Sequence, residues 1–459
     1  MKKLKLIAGT LFLSAFLFTA CDGLLDTTPK QSIDANDALT NAENVKSVLI
    51  GAYDALGDDD LYGGWFLMIP DFLAATDDEF TFSGTFFGPR QIRLKEQQYD
   101  NGQSSDTWIA SYDAINIANS ALEGLDLLEG SERDRVEGEA KLIRGMIYFD
   151  LVRLYADPYE AGATNSQAGV PLVLTPTTTI DESSNVSRSS VEDVYAQVMS
   201  DLNDAKSLLS DVNPVRSYYG NSMVASAVLS RVYLQMEDYD NARIEADRVI
   251  SSGNYSLTTT YADAFNNVEN STEDIFSMQV SAQDGANSMF TFYSADSRGD
   301  IDISQAHLDS YEAGDDRLDL FYNDPSDGVL RSGKWNDGVN GNVQQIRLAE
   351  MYLTRAEANF REGVPYVGAD PIDDLNMVRD RVSLPTYTLP TEFDLNDILQ
   401  ERKFELMFEG QLLHDIKRTQ GTVGARSYDD PKLVLPIPRR EIDANPNLCQ
   451  NASYTGPSC

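Results

Sequence analysis

Histidine is nearly missing from this chain: among 459 residues only His307 and His414 occur, far apart in sequence. A His-based metal site or a His-dependent catalytic triad therefore has almost no material to work with. Cysteine is equally scarce, with Cys21, Cys449 and Cys459 alone. Neither a zinc motif nor a nucleophile elbow can be assembled from what remains. Basic residues are outnumbered, 36 against 73 acidic ones, for a net charge of −37. Such a field repels nucleic acid and anionic polysaccharide unless a local basic patch intervenes, which argues against a nucleic-acid partner. Long apolar runs are absent beyond the first twenty residues, so nothing later in the chain reads as a membrane span.

What is present starts with those twenty residues. Lys2, Lys3 and Lys5 precede an apolar run from Leu6 to Phe18, and small residues lead into Cys21. This is the order of a secretory signal peptide, and the run is too short to span a bilayer. Cleavage before Cys21 would make that residue a lipidation site. Phe18 stands where a lipobox usually carries Leu. Each buried methylene contributes about 0.8 kcal/mol, and two or more acyl chains give stable anchoring. The other reading is an ordinary secreted protein with a chance Cys. Loss of the leader leaves 33 basic against 73 acidic residues, a charge near −40. Residues 21–40 are polar, contain Pro29 and lack helical periodicity, so they read as a lipidated tether. In an exported chain the two remaining Cys, Cys449 and Cys459, are expected to form a disulfide that pins the tail; a free pair is the alternative.

Residues 41–459 read as one mostly α-helical domain with few short strands. Val45, Val48, Leu49, Ala52 and Leu56 form a stripe over 42–57. A helix is expected over 107–128, and another over 133–156 that is apolar on two faces and stopped by Asp157-Pro158. A further helix is expected from Ser190 to Leu209, with Ser189 or Ser190 as cap. Leu229, Ser230, Tyr233, Ala242, Ala246 and Val249 fall where a tetratricopeptide repeat places its large and small residues. Helix pairs are therefore expected near 191–252 and, more loosely, near 344–381. The regions near 58–105 and 255–340 read as long irregular insertions, with a strand at 275–280, and such insertions carry the working surface.

Several segments, in order, resemble one family. They are GEAKLIRGMIYFDLVRLYADPY at 138–159, GVPLV at 169–173, RSSVEDVY at 188–195 and QIRLAEMYLTRAEA at 345–358. ERKFELMFEGQLLHDIKR at 401–418 is similar to a helix in which Leu412 and Leu413 would usually be Arg and Trp, and LPIPRREIDANPNLCQN closes the set at 435–451. Together they look like the SusD/RagB family of outer-membrane nutrient-binding lipoproteins. The resemblance implies a helical domain built on tetratricopeptide-like pairs, no catalysis and no cofactor. It also implies a lipid anchor facing the cell exterior, a glycan ligand and a TonB-dependent, SusC-like transporter as partner.

The same resemblance places binding residues after the acidic turn Thr76-Asp77-Asp78. There the candidates are Asp78, Phe80, Phe82, Phe86, Phe87 and Arg90, followed by Trp65, Tyr62, Tyr293, Arg298 and Trp335. Aromatic faces suit the C–H face of a sugar, with polar neighbours for its hydroxyls. Against each stands the alternative that an aromatic in a long loop anchors that loop to the core. No Trp lies within 80–90, where family members frequently carry one. Glu405 with Glu409, and Asp415 with Arg418, read as helix-face contacts rather than the close carboxylate pair of a glycosidase. The clusters Asp58-Asp59-Asp60, Asp315-Asp316 and Asp370 with Asp373-Asp374 lack the spacing and glycine of an EF-hand loop, so they read as solvated surface. Two other readings remain: an envelope scaffold for protein partners, and capture of a non-glycan nutrient such as peptide.

Overall fold

The computed structural model describes residues 39–459 except 217, 282–286 and 338–340. The leader, Cys21 and the tether up to residue 38 lie outside the described residues. The chain is mostly α. Helix α1 (Ala42–Leu56) is capped by Asn41, whose side chain accepts from the Asn44 N–H. Val45, Leu49, Ala52 and Leu56 are buried along its inner face, as the spacing predicts, and Val48 is half-buried. Then come α2 (Trp65–Ala74), α3 (Phe87–Leu94), α4 (Gly102–Glu123), α5 (Gly130–Tyr155), α6 (Val191–Leu208), α7 (Ser222–Gln235) and α8 (Tyr239–Ser251). Two short helices, α9 (Ser288–Tyr293) and α10 (Gln305–Asp309), precede α11 (Leu348–Glu362), α12 (Pro371–Arg381), α13 (Leu395–Glu405), α14 (Leu412–Arg418) and α15 (Arg439–Ala444).

Helices α1, α4, α5, α6, α7, α8, α11 and α12 form a run in which each packs on the next. The reason is visible in the small residues. Ala242 and Ala246 of α8 are fully buried, as are Leu229 of α7 and Val249 of α8, so the two axes approach closely. Helix α5 is buried on nearly all sides from Leu142 to Tyr155, as expected of a helix apolar on two faces. Ser190 caps α6 by accepting from the Asp193 N–H, and Asp370 caps α12 with Pro371 in its first turn.

The strands are short and pair only in twos, all antiparallel. Strand β1 (Phe80–Phe82) pairs with β3 (Ile301–Ile303), and β2 (Asp274–Met278) with β6 (Val343–Arg347). Strand β4 (Phe321–Asn323) pairs with β5 (Leu330–Ser332), and β7 (Thr422–Val423) with β8 (Arg426–Ser427). The strand expected at 275–280 is β2. The tail threads back into the bundle: Leu435 N–H donates to the Leu154 carbonyl at 2.8 Å, and Ser104 Oγ donates to the Pro436 carbonyl at 3.1 Å. Cys449 and Cys459 are joined by a disulfide.

Three expectations need correction. The region 58–105 is not irregular throughout, because it contains α2, β1 and α3. All ten residues of α2 are buried, and a helix buried on every side has no amphipathic period to read. The second helix pair does not begin at Gln344: residues 343–347 are strand β6, and the helix starts at Leu348. The segment 401–418 is not one helix. It breaks after Glu405 into a turn with Phe408 and Gly410 at positive φ before α14 begins. That turn lies against α2, where a Cβ on Gly410 would come within 2.7 Å of the Leu67 Cα.

Buried charge pairing fixes this turn. Arg347 joins Glu273 at 2.6 Å, Glu405 at 2.9 Å and Glu409 at 2.7 Å, while Lys334 reaches Glu409 at 2.6 Å. Arg418 pairs with Asp415 at 2.8 Å and with Glu357 at 2.6 Å. Burial pushes the Glu405 carboxyl up, but Arg381, Arg347 and Arg317 around it outweigh that and hold it down to about 2. Glu405 and Glu409 are thus engaged structurally. Leu412 and Leu413 are buried where the family pattern has Arg and Trp.

Candidate functional site

Strand alternation decides the fate of the aromatic cluster. Pairing of β1 with β3 turns Phe80 and Phe82 inward and Thr81 outward. Both rings pack on Phe72 with centroids at 5.5 Å. Trp65 is buried between Phe72 and Phe292, and Tyr62 is buried with its hydroxyl donating to Asp150. Tyr293 packs on Phe408 at 5.3 Å, and Trp335 donates its Nε1–H to the Phe408 carbonyl at 3.1 Å. Phe80, Phe82, Trp65, Tyr62, Tyr293 and Trp335 are therefore core residues, which corrects their place among the candidates: desolvation holds these rings beneath the surface rather than on it.

The chain after β1 behaves differently. Ser83 is held by a 2.8 Å bond from its N–H to the Asp300 carbonyl, and the next residues turn outward. Phe86 is 50 % and Phe87 73 % exposed. The Phe86 ring rests edge-on against buried Phe292 at 6.0 Å, and the Arg298 guanidinium lies over it at 4.5 Å. Arg298 is itself oriented by a 2.7 Å bond from Nε to Asp300 Oδ2. Arg90 is exposed on α3 three residues after Phe87, hence its neighbour on the helix surface. Phe86, Phe87, Arg90 and Arg298 thus form one exposed ledge. Asp78 is exposed too, but on the turn before β1, at the far end of that strand from the ledge.

A second concavity lies where the sequence gives no candidate. It is an open cleft of about 520 Å³ between the end of α1, the loop 57–63, Tyr218-Tyr219 and the exit of β2. Tyr53 and Tyr219 are stacked with centroids at 4.4 Å and planes 15° apart, and Tyr218 meets Tyr219 edge-on at 5.1 Å. Gly220 N–H donates to the Tyr53 hydroxyl at 2.8 Å, which joins the two walls. Asp54, Asp58, Asp59, Gln279 and Asn287 supply polar groups, and no Lys or Arg lines the cleft. Burial, with the Asp58 charge beside it, raises the Asp59 carboxyl above its ordinary range. The available signal was slight: an adjacent tyrosine pair before a glycine in a loop, and one tyrosine off the buried stripe of α1.

The remaining acidic clusters are engaged locally. Asp315 binds Arg317 at 2.7 Å, Asp370 caps α12, and Asp374 pairs with Arg355. Among the described residues no group of three His, Cys, Asp or Glu is arranged to hold a metal ion, and no helix is long and apolar enough to cross a membrane.

Comparison with known proteins gives a consistent set of matches. Residues 25–234 match a family model described as "Starch-binding associating with outer membrane", and residues 327–432 match the model of the SusD family. SusD-like protein P38 of Formosa agariphila is 24% identical over 99% of this chain and 100% of its own length. The starch-binding protein SusD of Bacteroides thetaiotaomicron is 30% identical over a shorter stretch, 24% of this chain and 21% of its own. The crystal structure of a SusD superfamily protein from the same organism superposes with a TM-score of 0.77 at 25% identity, covering 90% of this chain and 100% of the other.

Proposed function

The chain belongs to the SusD/RagB family, and from that premise we propose that it is a cell-surface lipoprotein that captures a glycan for a TonB-dependent outer-membrane transporter. Its anchor is the lipid on Cys21, its orientation is toward the cell exterior, and it performs no catalysis and needs no cofactor. The observation that carries this reading is the ledge. Phe86 and Phe87 are large apolar rings left in water on a chain that buries its other loop aromatics, and Arg298 braces one of them. An exposed ring costs hydrophobic free energy that a stacked sugar face recovers, while guanidinium groups beside it bind hydroxyls. The acidic surface favours a neutral glycan over an anionic one.

The test is an affinity-gel and glycan-array screen of residues 22–459 at low and high salt, with Phe86→Ala/Phe87→Ala beside the wild type. Phe82 is left intact because its ring is core. Binding to one glycan class, lost in the double variant, is the expected result. Absence of binding to every glycan would defeat it and turn attention to peptides or to a scaffold role.

A further inference from the structure

We propose that the cleft between Tyr53, Tyr218-Tyr219 and Asp54-Asp58-Asp59 is a second glycan subsite, one that takes uncharged pyranose units and rejects anionic ones. The inference rests on the glycan-capture reading and adds to it a place and a selectivity. Three features carry it.

The first is shape and lining. A cleft of about 520 Å³ lies within the range of small-ligand sites, roughly 300–1,000 Å³. Its aromatic wall is braced, because Tyr53 and Tyr219 stack on one another and Gly220 N–H fixes the Tyr53 hydroxyl. Tyr218 and Tyr219 are themselves only half-buried, so ring surface faces the opening. This is the combination a pyranose needs: a rigid ring for its C–H face and acceptors for its hydroxyls.

The second is charge. Asp54 stands in the last turn of α1, and Asp58 and Asp59 follow its C-cap, Gly57. Carboxylates at a helix C-terminus oppose the negative end of the macrodipole, and that turn holds no basic residue to offset them. The local arrangement works against the helix, as functional sites commonly do. Acceptor-only groups in that position match hydroxyl donors and repel uronate, sulfate or phosphate groups on a sugar.

The third is preorganisation. The carboxylate loop is closed by bonds from Leu61 N–H and Gly63 N–H to the Asp58 carbonyl at 2.9 and 3.0 Å, and from Trp65 N–H to the Asp59 carbonyl at 2.9 Å. Gly63 allows this closure, since a Cβ there would come within 2.4 Å of the Gly57 carbonyl oxygen. One short element joins cleft and ledge. Asn287, the N-cap of α9, lines the cleft, while Phe292 near the other end of α9 supports Phe86. Five residues of helix correspond to about 7.5 Å, a separation that one short oligosaccharide can cover.

The test uses residues 22–459 and calorimetric titration with neutral hexasaccharides of several backbones, their trisaccharides, and oligogalacturonate as the anionic probe. Four proteins are compared: wild type, Phe86→Ala/Phe87→Ala, Tyr218→Ala/Tyr219→Phe, which keeps the Tyr53 stack, and Asp54→Lys/Asp58→Lys. Tyr218→Ala/Tyr219→Phe is expected to weaken the neutral hexasaccharide at least tenfold while leaving its trisaccharide within twofold. The lysine variant is expected to gain oligogalacturonate binding that the wild type lacks, a change no loss of folding can mimic. Hexasaccharide affinity within twofold of wild type in the tyrosine variant, with the ledge variant inactive, overturns the cleft and leaves capture standing. Loss in the tyrosine variant alone moves capture from the ledge to the cleft. No binding of any oligosaccharide by wild type defeats both readings.

Discussion

Replacing Arg347 with methionine tests whether charge pairing sets the frame beneath the candidate surface. Arg347 is fully buried, and each of its five N–H donors is used. Nε donates to Glu409 Oε2 at 2.8 Å, and Nη1 to Glu273 Oε1 at 2.6 Å and Glu405 Oε1 at 2.9 Å. Nη2 donates to Glu409 Oε1 at 2.7 Å and to the Glu405 carbonyl at 3.1 Å. Methionine retains part of the volume but leaves three carboxylates facing an apolar chain. Removing one partner of a buried pair costs about 3–5 kcal/mol, because the other charge stays buried without compensation. Arg381 still reaches Glu273 and Glu405, and Lys334 still reaches Glu409, so the lower half of that range applies here, about 3–4 kcal/mol. Against a typical stability of about 5–15 kcal/mol this is a large shift. Urea unfolding of residues 22–459, followed by circular dichroism, reads it as a lower midpoint. Arg347→Lys should recover part of the loss, and Arg347→Met/Glu409→Gln should lose less than the two single changes summed. A methionine variant within 1 kcal/mol of wild type would refute the reasoning, since apolar packing would then suffice to hold the turn.

Other outcomes follow from the same contacts. Glu405 is held down to about 2 against an ordinary 4.5, so its contribution is complete above 4.5 and is lost as pH falls toward 2; about 3 kcal/mol should disappear over that window, read as a falling urea midpoint that Glu405→Gln flattens. Gly410→Ala places a Cβ 2.7 Å from the Leu67 Cα at a φ of +75°, and a loss of at least about 1–3 kcal/mol is expected in the same assay; an unchanged midpoint would mean that α2 can shift away. Core and ledge aromatics should separate cleanly: Phe80→Ala costs about 3–5 kcal/mol of stability, whereas Phe87→Ala stays within about 0.5 kcal/mol and acts on glycan binding.

The separation of those two phenylalanines shows where sequence legibility ends. Phe80, Phe82, Phe86 and Phe87 are one residue type in one short stretch, and no local pattern distinguishes them. Pairing with a strand more than two hundred residues later turns the first two inward and leaves the last two beyond its edge. Trp65, Tyr62, Tyr293 and Trp335 are drawn into the core by contacts equally remote in sequence. The tyrosine cleft is hidden for the same reason, because its walls come from α1, the loop before α2, the loop before α7 and the exit of β2. Helix α2 escaped notice for a different reason: buried on every side, it carries no period.

By itself the sequence determined what depends on near neighbours along the chain. The α1 stripe, the two-faced α5, the Ser190 and Asp370 caps and the small-residue packing of α8 on α7 are set within one or two helical turns, where side-chain period and cap chemistry act directly. The ordered motifs from Gly138 to Asn451 likewise identified the family. Tertiary structure alone decided which aromatics meet water, that the 401–418 segment breaks at Phe408 and Gly410 to let α2 approach, and that Arg347 gathers Glu273, Glu405 and Glu409. Each of these depends on desolvation by partners distant in sequence, and burial is a property of the assembled fold rather than of any segment within it.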